Sequence, residues 1–175
     1  MAQLRGVAIS GSPRAPSKSK TLAEFLLRSL AASGFDTHLI DIASLPADAL
    51  LARAPAAEID NAVAAVGAAQ IIVAASPTYR ALYTGALKAF FDLMPQAQLA
   101  GKVCVPILTA ASPVHFLAID HGFAPLFASL EGVTAPGVYA TDDQFLEGVP
   151  SPAVAGRIEH VARAAAMLAR VASSS

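Results

Sequence analysis

The stretch Gly6-Val7-Ala8-Ile9-Ser10-Gly11-Ser12-Pro13-Arg14-Ala15-Pro16-Ser17-Lys18-Ser19-Lys20-Thr21-Leu22 decides the fold. Its apolar head reads as a buried strand and its tail opens an amphipathic helix. Between them lie one glycine, four serines (Ser10, Ser12, Ser17, Ser19), Arg14 and two lysines. A strand that turns through hydroxyls into a helix start is an anion site. The unpaired N–H groups of the first turn point outward, and the helix dipole favours negative charge there. Arg14 adds a forked, permanently charged donor suited to phosphate oxygens. The plainer reading is an ordinary turn with Ser17 or Ser19 as N-cap.

Two familiar phosphate loops are excluded. A dinucleotide turn needs G-x-G-x-x-G, so that the backbone can approach a pyrophosphate, and Gly11 stands alone. A triphosphate loop needs G-x-x-x-x-G-K-[ST], and the lysine of Ser19-Lys20-Thr21 has no glycine before it. Hydroxyls in place of glycines suit a terminal phosphate monoester wrapped on several sides.

The chain has 175 residues, enough for one domain with a full core, and one domain over 1–175 is expected. A net charge of −1 with dispersed basic residues argues against a nucleic-acid surface or an electrostatic membrane anchor. Cys104, the single cysteine, lies in an apolar run and reads as a small buried hydrophobe. One cysteine and four scattered histidines, without H-x-x-x-H or C-x-x-C, give a metal site no support. The longest uncharged stretch, 61–79, is interrupted by Asn61, Gly67, Gln70, Ser76 and Pro77, so it reads as a helix end plus a strand rather than a membrane span. The first five residues leave no room for a signal peptide, and a cytoplasmic protein is expected.

Five apolar runs, 6–10, 35–40, 70–75, 102–108 and 134–140, alternate with helical patterns at 18–32, 57–67, 84–94 and 115–130. The runs are continuous, as in parallel strands buried on both faces. A last helix starts at Ser151-Pro152, with Ser151 as cap and Pro152 at its first position. Its stripe is Val154, Ile158, Val161, Ala165 and Leu168, and the tail from Ser173 to Ser175 is expected to fray. Such alternation predicts an α/β fold: a flavodoxin-like three-layer sandwich with a five-stranded parallel sheet of order 2-1-3-4-5. That order places ligands at the carboxyl ends of strands 1, 3 and 4.

The loops at those three ends carry the chemistry. The second, Ser76-Pro77-Thr78-Tyr79-Arg80-Ala81-Leu82-Tyr83-Thr84-Gly85, offers amides, two tyrosines and an arginine that could lie along a flat heteroaromatic ring. Tyr79 and Tyr83 could equally cover the helix end or a subunit contact. The third, Thr109-Ala110-Ala111-Ser112-Pro113-Val114-His115, is small enough to let a planar ring approach the backbone. A monophosphate on one loop and a flat ring on two others describe a flavin mononucleotide, FMN.

The motifs G-S-P-R-x-x-S-x-S-x-x-L from Gly11 and S-P-T-Y-R-A-L-Y-T-G-A-L-K from Ser76 resemble the NADPH-dependent FMN reductases of flavodoxin-like fold. The alkanesulfonate and methanesulfonate-utilisation branch is the nearest resemblance, with further matches in D-L-M-P, G-K-V, H-F-L-A-I-D, Pro125 and Asp142-Asp143. The resemblance spans residues 7–144. It implies that Ser12, Arg14, Ser17 and Ser19 hold the phosphate, with Ser10 also among the cofactor-binding residues. Pro77, Thr78, Tyr79 and Arg80 would line the ring, with Thr109, Ala110, Ala111 and Ser112 closing its far side and His115 nearby. His121 falls where that branch carries an inserted residue that makes a π-helix turn, at the tetramer interface and associated with flavin release. An ordinary helical histidine is the alternative.

The implied reaction is hydride transfer from NADPH to N5 of FMN, for which no catalytic acid or base is needed; His115 more simply orders its helix start. Reduced flavin would pass to an FMNH2-dependent monooxygenase of sulfonate desulfonation, and a homodimer or homotetramer is implied. Two rivals stand beside this reading. One is an FMN-retaining NAD(P)H quinone or azo reductase. The other is a flavodoxin-like electron carrier without NADPH activity, which the near-zero charge disfavours.

Overall fold

A computed structural model describes residues 3–173. Four long parallel strands form the sheet: β1 (Arg5–Ser10), β2 (Asp36–Asp41), β3 (Ile71–Pro77) and β4 (Val103–Ala110). Two shorter ones, β5 (Val133–Thr134) and β6 (Val138–Thr141), both pair with β4, and the order is β2-β1-β3-β4-β5 with β6 continuing the β5 edge. The expected doubly wound order is therefore present. Successive residues of β3 point to opposite faces. Ile72 and Ala74 meet α3 (Ala57–Ala68) and α4 (Gly85–Asp92) in one core, while Ile71, Val73 and Ala75 meet α1 (Lys18–Ala32) and α6 (Pro152–Ala172) in the other. Burial on both faces is why these strands read as unbroken apolar runs. A short helix, α2 (Ala47–Leu50), follows β2.

The fifth strand, expected as one run over 134–140, is split. Cys104 accepts from Ala135 across this edge (2.8 Å), so Pro106, two residues on, faces the same neighbour and has no N–H to give. The chain detours through Ala135-Pro136-Gly137 at this point. A Cβ on Gly137 would lie 2.7 Å from the Pro106 carbonyl oxygen, so only glycine fits.

The helix expected over 115–130 is also broken. A 3-10 turn (Pro113–His115) leads to a π-helical turn (Ile119–Phe123), and only α5 (Ala124–Ser129) is α-helical. Pro125 cannot donate to the His121 carbonyl and its ring crowds it, which accounts for the widened turn. His121 sits exposed within that π turn.

An antiparallel hairpin of β7 (Phe145–Leu146) and β8 (Val149–Pro150) stands outside the elements expected from the sequence. Along α6 the buried row ends on Ala169 (1 % exposed), whereas Leu168 is 42 % exposed. The cap and first position of α6 are Ser151 and Pro152, as its sequence predicts. Ser173 closes α6 by donating to the Ala169 carbonyl (2.8 Å), and Ser174 and Ser175 lie outside the described residues. No helix among the described residues is long and apolar enough to cross a membrane.

Cys104 lies in the core, and burial pushes its thiol up to about 12, with Lys102 a weaker opposing influence. At pH 8 only about one molecule in ten thousand then carries a thiolate in the folded state. Native protein is expected to label with a thiol reagent no faster than it unfolds; rapid stoichiometric labelling would contradict this. The unfolded thiol ionises first, so its contribution to stability is complete below the ordinary thiol range and declines above about pH 8.5.

Candidate flavin site

The carboxyl ends of β1, β3 and β4 open into one cavity of about 620 Å³, within the size range of small-ligand pockets. From the first loop it is lined by Ser12, Arg14, Pro16, Ser17, Lys18 and Thr21. The second loop supplies Pro77, Thr78 and Tyr79, and the third supplies Thr109, Ala110 and Ala111. The predicted switch-point site is thus a continuous surface.

Ser17 caps α1, its hydroxyl accepting from the Lys20 amide (3.3 Å) and meeting the Ser19 hydroxyl at 3.0 Å. The Thr21 amide bonds to the Ser17 carbonyl, while those of Lys18 and Ser19 have no acceptor inside the helix. Ser12 folds the approach to the helix by donating to the Arg14 carbonyl (2.8 Å) and accepting from the Arg14 amide (3.3 Å). The Arg14 side chain is left exposed at the cavity. The helix terminus, its free amides and the guanidinium form a place for one phosphate group.

The second loop is locked to the first by two hydroxyls. The Thr84 side chain donates to the Gly11 carbonyl (2.6 Å) and accepts from the Leu87 amide (3.1 Å), capping α4. Ser76 accepts from the Thr84 amide (2.9 Å) and donates to the Pro77 carbonyl (2.8 Å). Gly11 permits this approach, because a Cβ there would lie 2.7 Å from Leu87 Cβ. The Thr78 amide donates to the Thr109 carbonyl (2.7 Å), joining second and third loops.

Beyond Thr78 the chain makes a tight hairpin, with Tyr79 and Leu82 bonded in both directions and Arg80 and Ala81 at φ 51° and 67°. Two consecutive non-glycine residues in the left-handed region cost about 1–2 kcal/mol each. Leu82 and Tyr83 rest against Gly122 of the π turn, where a Cβ would collide with Leu82, and the Tyr83 ring packs tilted on Phe123 at 4.9 Å between centroids. Tyr83 is therefore half-buried against the π turn, and burial raises its phenol above the ordinary value. Tyr139 holds the third loop, its hydroxyl donating to the Ser112 carbonyl at 2.7 Å.

Several expected site residues do not reach the cavity. Ser10 and Ser19 are wholly buried beneath it, Arg80 is exposed at the hairpin tip, and His115 is exposed. Ser112 is held through its carbonyl and lies outside the lining. Conversely, Pro16, Lys18 and Thr21 of the first loop and Asp142, Glu147 and Gly148 line the cavity and lie outside the expected set. Asp142 lay in a matched motif without a role. Leu146-Glu147-Gly148-Val149, a turn between apolar residues, was a readable hairpin signal.

The lining fits a flavin mononucleotide. The Thr78 hydroxyl is buried, lines the cavity and has no partner among the described residues, so it is available to a polar ring edge. Small side chains at Ala110 and Ala111 leave room for a flat ring. Among the described residues no group of three or more His, Cys, Asp or Glu side chains is placed to hold a metal ion.

A family model described as NADPH-dependent FMN reductase matches residues 4–147. The chain is 37% identical over 165 residues to an NADH-dependent FMN reductase, SfnF, of Pseudomonas putida, covering 90% of this chain and 89% of that protein. It is 32% identical over 146 residues to FMN reductase (NADPH) of Escherichia coli strain K12, covering 82% and 76%. Among solved structures, the apo form of an NADH:FMN oxidoreductase, EMOB, superposes with a TM-score of 0.88 at 34% identity, covering 94% and 89%.

Proposed function

Because the chain belongs to the NADPH-dependent FMN reductase family, whose activity is NAD(P)H-dependent reduction of FMN, we propose that its three-loop cavity takes FMN as an exchangeable substrate and that the reduced flavin serves a partner monooxygenase of sulfonate desulfonation. The observation that carries this reading is one cavity lined on its first loop by Arg14 and the capped start of α1 and on its second by Thr78, whose hydroxyl has no partner among the described residues. The redox chemistry is that of the flavin, to which a hydride passes from the reduced nicotinamide.

The chain's residues bind and orient. Arg14, the Ser17 hydroxyl and the first-turn amides of α1 hold the phosphate, while Ser12 shapes the turn that carries Arg14. Thr78 meets the polar edge of the ring, with Thr109, Ala110 and Ala111 as its inner wall and Tyr79 as an outer wall. Packing two planar groups against these walls excludes water and sets their distance, which is the protein's share of the catalysis. No side-chain acid or base takes part.

Exchange of the flavin is supported by the charge of the cavity, where Arg14 and Lys18 stand against Asp142 and Glu147. The homo-oligomer is supported by Val114, Phe116 and Leu117, exposed by 73%, 56% and 49% beside the π turn. Self-association covers such a patch. The sulfonate role is supported by the likeness to SfnF.

The test is steady-state oxidation of NADPH and of NADH with FMN, FAD and riboflavin titrated as substrates, together with the spectrum of the purified protein. Saturable, FMN-dependent oxidation by a protein that loses its yellow colour on gel filtration is the expected result. Flavin retained through gel filtration, with quinone turnover needing no added FMN, would replace it with the bound-flavin reductase. No oxidation at any FMN concentration would sink the reductase reading.

A further inference from the structure

Glu147 and Gly148 form the turn of the β7–β8 hairpin and line the same cavity as Ser12, Arg14 and Ser17. Their φ angles of 49° and 82° make a two-residue turn of fixed shape, with Leu146 paired to Val149. The hairpin is tied to the phosphate end. Lys18, the first residue of α1, forms an ion pair with Asp142 (2.9 Å) and lies over the Phe145 ring at 5.4 Å. Gln144 closes a capping box with Thr141, accepts from Arg157 (3.3 Å) and receives the Ser151 amide on its carbonyl (2.8 Å). The turn is therefore held from both α1 and α6.

The charges beside the phosphate cradle are divided unevenly. Lys18 is engaged by Asp142, which among the described residues leaves Arg14 as the cavity-lining cation outside an ion pair. Glu147 has no ion-pair partner within 4 Å among the described residues. One phosphate matches Arg14 and the helix start. A second phosphate joined to it would meet a carboxylate instead.

We propose that Glu147, presented by the β7–β8 hairpin, ends the flavin site just beyond the phosphate and selects flavin mononucleotide over flavin dinucleotide. This rests on the flavin reading above. In the mononucleotide the phosphate is the end of the molecule and needs no exit. In the dinucleotide it continues through a second phosphate to an adenosine, which must pass the turn and its carboxylate. Like charges a few ångströms apart at a partly solvated site repel, and salt weakens the repulsion.

The test compares Glu147→Gln and Glu147→Lys with the unaltered chain, measuring kcat/KM for FAD and FMN and, by fluorescence quenching, the Kd of both and of riboflavin. The FAD-to-FMN ratio is expected to rise about five- to tenfold in Glu147→Gln, further in Glu147→Lys, and to rise less in high salt. Riboflavin, which has no phosphate, serves as the neutral reference and shifts less than either nucleotide. A ratio within about twofold of the unaltered chain in both variants would overturn the proposal. The two readings fail separately. Without NAD(P)H oxidation by the unaltered chain the reductase reading falls, while the ratio of the two Kd values still judges Glu147.

Discussion

Replacing Arg14 by alanine weakens FMN binding by about ten- to a hundredfold, the worth of a charge-assisted hydrogen bond to phosphate. The guanidinium stands exposed at the cavity, so its loss leaves the core intact and thermal stability nearly unchanged. The KM for NAD(P)H is expected to shift far less, because on the proposed reading its nicotinamide packs on the flavin ring and away from Arg14. Riboflavin is the sharper control: without a phosphate it has nothing to lose with Arg14. Kd values for FMN and riboflavin, measured by fluorescence quenching, check this. Equal weakening of FMN, riboflavin and NAD(P)H would mean that Arg14 does not hold the phosphate.

Thr84→Val has the second large effect, by a different route. Valine keeps the volume but strips the hydroxyl that donates to Gly11 and caps Leu87, in a residue only 2% exposed. A buried carbonyl and a buried amide lose their partner together, which costs about 2–4 kcal/mol and lowers Tm by roughly 5–12 °C. The first two loops also lose their tether, so the KM for FMN rises although Thr84 lies outside the cavity lining. Thr84→Ser retains the hydroxyl and recovers most of both losses. Thermal melts and FMN titrations of the two variants decide it; a Thr84→Val protein that melts and binds like the unaltered chain would refute the tether.

Local signals carried the sheet order and the position of the cavity. Alternating strand and helix patterns gave β1, β3 and β4, and their carboxyl ends carry the hydroxyl-rich loops that line the cavity. The starts of α1 and α6 were legible because an N-cap serine and a first-position proline act within one turn. The split between β5 and β6 was not legible, since its cause, Pro106, sits on a neighbouring strand some 30 residues earlier. The π turn was one of two readings left open at His121, raised by family resemblance and decided by the structure. Its contact with Leu82 and Tyr83 depends on packing between distant segments.

The serines of the opening stretch mark the same division. By itself the sequence determined that a strand runs through hydroxyls and an arginine into a helix start, because strand period, turn chemistry and capping are local. Which hydroxyls face the cavity was decided only by the tertiary structure. Ser12 and Ser17 line the cavity, Ser10 and Ser19 are sealed beneath it, and the carboxylate of Glu147 arrives from a hairpin more than a hundred residues away. Burial is a property of everything packed around an atom, and those neighbours are assembled only when the sheet closes.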